Sequence, residues 1–113
     1  MPNISKVLVR VFVSDLDATI ALYEELAQAS AEKFSRDVEL ARVGPFLLLA
    51  GDIAAYRDRT ATIQVASLTP VLTALASAGG AIMEGPTPGP NGPRLIARHP
   101  DGAVFEYSEI GVG

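Results

Sequence analysis

The sequence predicts an α+β fold in which one strand–helix–three-strand unit (βαβββ) is written twice in tandem. The strands are expected to form a cupped mixed sheet with the helices on its outer face. Three observations carry this expectation. Residues 11–22 (VFVSDLDATIAL) have an echo 52 positions later in residues 63–74 (IQVASLTPVLTA), where β-branched residues again meet a polar capping residue, a Leu and a helical pattern. A second echo pairs Glu39–Arg42 with Leu95–Arg98, each followed by a Gly-containing turn and another apolar strand, Phe46–Ala50 or Ala103–Ser108. Finally, 113 residues fit one domain. Its first module covers about residues 4–52 and its second about 60–110, joined by a linker at 53–59.

Each element has a local cause. Val7, Val9, Val11 and Val13 alternate with Leu8, Arg10 and Phe12, the period of two of a strand covered on both faces. The Val face is expected under a helix, and the Leu8/Arg10/Phe12 face toward a concavity of the sheet. Asp15 is placed to cap a helix whose apolar stripe is Leu16, Ile20, Tyr23 and Ala27. In the second module Ser67 is the candidate cap. Pro70 falls in the first turn, where its missing N–H costs little, and Gly79-Gly80 ends the helix. Pro100-Asp101-Gly102 signals a turn between two apolar strands. The run Gly85-Pro86-Thr87-Pro88-Gly89-Pro90-Asn91-Gly92-Pro93 is incompatible with a helix or a central strand. It reads as a semi-rigid loop, either a plain connector or a lid over a pocket.

Composition excludes several functions. Without Cys there is no disulfide scaffold, Cys-based zinc site or thiol nucleophile. A net charge of −4 argues against non-specific nucleic-acid binding, which needs a basic footprint. No apolar run approaches the ~18–20 residues of a membrane span, and the first residues lack signal-peptide order, so a cytoplasmic protein is expected. Charged residues make up 19% of the chain against a usual ~25%, which points to surface covered by a second copy in a homodimer.

Residues 13–23 (VSDLDATIALY) and 99–106 (HPDGAVFE) resemble the opening and closing motifs of the vicinal oxygen chelate superfamily, which includes glyoxalase I, extradiol dioxygenases and bleomycin-resistance proteins. With the repeat, the likeness covers nearly the whole chain. It implies paired modules, a cupped sheet and dimers. It also implies a divalent metal held by four His or Glu side chains, from the first and last strands of each module. Carried over by position, those four are Leu8, Leu48, Thr60 and Glu106. Leu offers no lone pair to a cation, so no metal and no other cofactor is expected.

The cup is expected to be lined by Leu8, Arg10, Phe12 and Leu48 from the first module and Thr60, Thr62, Gln64 and Glu106 from the second. Val104 and Ser108 share the Glu106 face. Apolar walls with a few polar groups are the usual make-up of a small-molecule site. Arg10 and Glu106 either pair with each other or serve a ligand. In the second case Glu106, desolvated, is the candidate catalytic acid or base. His99, the only histidine, reads as a surface turn residue, with a ligand or base role as the alternative. Asp52, Arg57, Asp58 and Arg59 read as solvated surface.

Two functions follow from this reading. One is a metal-free, bleomycin-resistance-like protein that binds a small apolar or conjugated compound such as an antibiotic. The other is a metal-independent isomerase, cyclase or hydrolase of the same fold that uses Glu106.

Overall fold

The computed structural model describes residues 2–35, 37–89 and 92–110. The elements follow in the expected order. They are β1 (Ile4–Phe12), α1 (Leu16–Ala27), β2 (Glu32–Ser35), β3 (Glu39–Val43), β4 (Phe46–Ala50), β5 (Ala61–Val65), α2 (Thr69–Ala78), β6 (Ala81–Pro88), β7 (Pro93–Arg98) and β8 (Val104–Glu109). A short 3-10 turn, Ala54–Tyr56, precedes β5. The chain forms two compact units, Leu8–Asp58 and Met1–Val7 with Arg59–Gly113, so β1 supplies residues to both.

In the unit Leu8–Asp58 the strand order is β2-β3-β4-β1. The two hairpin pairings are antiparallel, whereas β1 runs parallel to β4. That parallel return needs a crossover, and α1 provides it. Asp15 caps α1 by accepting from Ala18 N at 3.1 Å. Leu16, Ile20, Tyr23 and Ala27 pack on Ala41, Val43, Leu48, Ala50, Val11 and Val13. Tyr23 meets Phe46 edge-on at 4.9 Å, which confirms its packing role. The opposite sheet face carries Leu8, Leu40, Leu47 and Leu49, with Phe12 and Tyr56 against them. A Cβ on Gly44, at φ +55°, would lie 2.9 Å from the Ala27 Cβ, so the tight β3–β4 turn must be glycine for α1 to close on it.

The second unit repeats the plan. Its order is β5-β8-β7-β6, with β5 parallel to β8 and the other pairs antiparallel. Leu68, Val71, Leu72 and Leu75 pack on Ile63, Val65, Leu95, Ala97 and Tyr107. Ser67 is not the cap residue of α2. Its hydroxyl accepts from Thr69 N at 3.2 Å, while Leu68 N donates to the Glu109 carboxylate at 2.8 Å. A negative charge at a helix N-terminus is favourable, and here a strand 41 residues away supplies it.

The proline-rich run departs from a plain loop. Residues up to Pro88 belong to β6, an edge strand whose register shifts between Ile82 and Glu84 and again between Glu84 and Thr87. An edge strand leaves one row of N–H groups unused, so proline is tolerated there. Gly85, at φ +80°, is required, because a Cβ would fall 2.6 Å from the Arg94 carbonyl oxygen. Pro90 and Asn91 lie outside the described residues.

His99 is no lone surface residue. Half-buried, its Nε2 shares a 2.7 Å hydrogen bond with the Tyr107 hydroxyl, and its ring meets Phe105 edge-on at 4.9 Å. Burial holds the Tyr107 phenol above the usual 10.0. The folded state therefore keeps its proton where the unfolded chain releases it. This contribution to stability is full below about pH 10 and is lost as the pH rises through the folded value. Denaturant unfolding as a function of pH is expected to show stability falling above about pH 10. Tyr107→Phe should flatten that slope and lower stability at neutral pH by about 1 kcal/mol for the lost hydrogen bond.

Candidate functional site

On each unit the helix covers one sheet face, and the candidate residues divide according to the other. In the second unit alternation sends Ile63 and Val65 toward α2, leaving Thr62 and Gln64 on the opposite face. In β8, Phe105 and Tyr107 face α2, which leaves Val104, Glu106 and Ser108 beside Thr62 and Gln64. Thr62 is buried at 5% exposure and its hydroxyl lies 3.4 Å from Glu106 Oε1. Arg94 on β7 donates from Nε to Glu106 Oε2 at 2.7 Å. The Glu106 and Arg94 side chains are 15% and 32% exposed, which makes them a half-sheltered ion pair next to buried Ile96 and Val104.

A second ion pair shares this unit. Arg59, expected at the solvated surface, is buried and pairs with Glu84 of β6. Burying a guanidinium without a carboxylate would be strongly unfavourable, so Arg59 and the edge strand are tied together. Thr60 lies just before β5 and is exposed, outside the strand that carries Thr62 and Gln64.

In the unit Leu8–Asp58, Leu8 is buried and Phe12 half-buried within the apolar face opposite α1, and Arg57 lies over the Phe12 ring at 5.6 Å. Arg10 is half-buried on the same strand. Leu48 is different. It is fully buried on the α1 side, with Leu16 and Val43. The strand registers explain why. Val11 pairs with Leu48, and its counterpart Ile63 pairs with Tyr107, whereas Arg10 pairs with Leu47 and its counterpart Thr62 pairs with Glu106. The residue equivalent to Glu106 is thus Leu47, one position before the residue that sequence alignment selected.

The family's metal does not fit these residues. At the corrected positions Leu8 and Leu47 are buried in an apolar cluster, Thr60 offers only a hydroxyl, and both oxygens of Glu106 already accept from Thr62 and Arg94. Among the described residues no three His, Asp or Glu side chains are gathered where they would hold an ion. Elsewhere on the second unit, an open depression of about 320 Å³ is lined by Pro86, Thr87, Pro88, Gly89, Gly92 and Pro93. It is almost wholly apolar and holds no titratable group, unlike the face that carries Glu106 and Arg94. Sequence reasoning missed Arg94. The alternation Arg94-Leu95-Ile96-Ala97-Arg98 carried the signal, since Leu95 and Ala97 face α2.

No helix among the described residues is long and apolar enough to cross a membrane. No protein-family model and no curated protein matches the chain. Solved structures do. A hypothetical protein from Methanosarcina mazei is 36% identical, with alignment over 97% of this chain and 95% of its own and a TM-score of 0.84. Methylmalonyl-CoA epimerase from Mycobacterium tuberculosis is 19% identical over 96% of this chain and 88% of its own, with a TM-score of 0.67. The Streptomyces coelicolor methylmalonyl-CoA epimerase, in complex with 2-nitronate-propionyl-CoA, is 15% identical over 97% and 99%, also at 0.67. A twice-written βαβββ unit, closed each time by a parallel first and last strand and shared with these proteins over nearly their whole length, gives the chain the fold expected of the vicinal oxygen chelate superfamily and places it in one family with the Methanosarcina mazei protein.

Proposed function

We propose that the protein is a cytoplasmic, metal-independent binder of a small, largely apolar molecule, working as a homodimer. The observation that carries this reading is the polar cluster Thr62–Glu106–Arg94, set beside buried Ile96 and Val104 on the sheet face opposite α2. A few oriented polar groups in an apolar frame are what a small-molecule site needs. Pairing of chains is supported by the low charged share and by exposed apolar side chains, among them Leu22 and Leu26 one turn apart on α1. Native mass spectrometry of untagged protein purified without chelators is expected to give a dimer carrying an organic mass. A monomer with no added mass would contradict both parts of the reading.

A second reading is favoured by Glu106 itself. A half-sheltered carboxylate oriented by a hydroxyl and a guanidinium is equipped to move a proton, and two structural neighbours are epimerases. Under it the protein is a metal-independent isomerase of this fold. Incubation with methylmalonyl-CoA in deuterium oxide separates the two. The binder reading predicts no deuterium at the carbon between the carbonyls. Incorporation that disappears in Glu106→Gln would establish the enzyme reading instead.

A further inference from the structure

We infer that the ligand carries a carboxylate, held by Arg94, Ser108 and Gln64; the inference rests on the binding role proposed above and narrows it to a chemical class. The three residues lie side by side on adjacent strands. Gln64 of β5 is registered with Ser108 of β8, and Ser108 with Arg94 of β7. All three belong to the face that carries Thr62 and Glu106, because each stands two residues, or one registered pair, from a member of that cluster. Neighbouring strands are about 4.8 Å apart, so the row spans roughly 10 Å, within reach of an Arg and a Gln side chain converging on the central Ser.

The donors in this row are uncommitted. Arg94 uses Nε on Glu106, and among the described residues its Nη1 and Nη2 groups have no protein partner. The same holds for the Ser108 hydroxyl and the Gln64 side-chain amide, and all three side chains are only partly exposed. A guanidinium has two edges. With the Nε edge fixed on Glu106, the end-on edge presents two parallel N–H groups, the spacing that matches the two oxygens of a carboxylate. Glu106 thereby acts on Arg94 as a positioning residue, limiting its rotamers before a ligand arrives. Its negative charge close by also disfavours a dianion, which selects a monoanionic carboxylate over a phosphate.

The test is a titration of nitrogen-15-labelled protein with sodium benzoate and, separately, with neutral benzamide. Benzoate is expected to shift the Gln64 side-chain amide, the Arg94 Nε and the Ser108 backbone amide, saturating in the millimolar range, while benzamide leaves them in place. Arg94→Lys, which keeps the charge but loses the fork, should weaken benzoate at least fivefold. Should that variant fail to fold, the double variant Gln64→Leu/Ser108→Ala preserves the Arg94–Glu106 pair and should weaken benzoate by a similar factor. Equal shifts from benzamide would overturn the carboxylate assignment while leaving a binding site at this face. An absence of benzoate-induced shifts at all three residues would overturn the assignment outright.

Discussion

Everything in this protein depends on the parallel pairing that closes each unit, β1 on β4 and β5 on β8. A parallel return cannot be made by a hairpin, so each unit must carry a helix across one face of its sheet. That helix decides which alternate residues pack beneath it and which belong to the opposite face. In the first unit the remaining face is filled by Leu8, Leu40, Leu47 and Leu49. In the second, the equivalent strands carry Thr62, Glu106 and Arg94, and the same scaffold supports a polar cluster. The two halves have one architecture and opposite chemical characters.

The contrast has an energetic basis. A carboxylate 15% exposed on a sheet face needs partners, and Thr62 and Arg94 supply them. At the equivalent position of the first unit Leu47 makes no such demand and is satisfied by apolar neighbours. A four-ligand metal centre spread over both halves would need donors from each, and Leu8 and Leu47 provide none. In the second unit Thr62, Arg94 and Glu106 are bound to one another instead.

Much of this was legible in the sequence, and the limits have physical causes. Asp15 and the stripe Leu16, Ile20, Tyr23 and Ala27 could be read because caps and helical periodicity are local. The β-strand alternation of Val11 and Val13 against Leu8 and Phe12 was equally local. Leu48 comes out on the wrong face when Gly44–Leu48 is aligned with Gly102–Glu106. Gly44 belongs to a two-residue turn between Val43 and Phe46, whereas Gly102 lies in a five-residue turn between Arg98 and Val104. Counted from these glycines the two strands are one residue out of step in their pairing with β1 and β5, and one residue changes the face of a strand. Arg59–Glu84, Arg94–Glu106 and the Glu109 contact at the start of α2 join residues 12 to 41 positions apart. Such pairs are set by strand order, which no local pattern encodes.

The central claim is that Glu106 serves a protein-bound polar cluster rather than a metal ion. Isothermal titration of the chelator-treated protein with manganese, cobalt, nickel and zinc tests it most directly. The account predicts no stoichiometric binding of any of the four, and the same flat response from Glu106→Gln. One ion per chain, bound by the native protein and lost in Glu106→Gln, would contradict it.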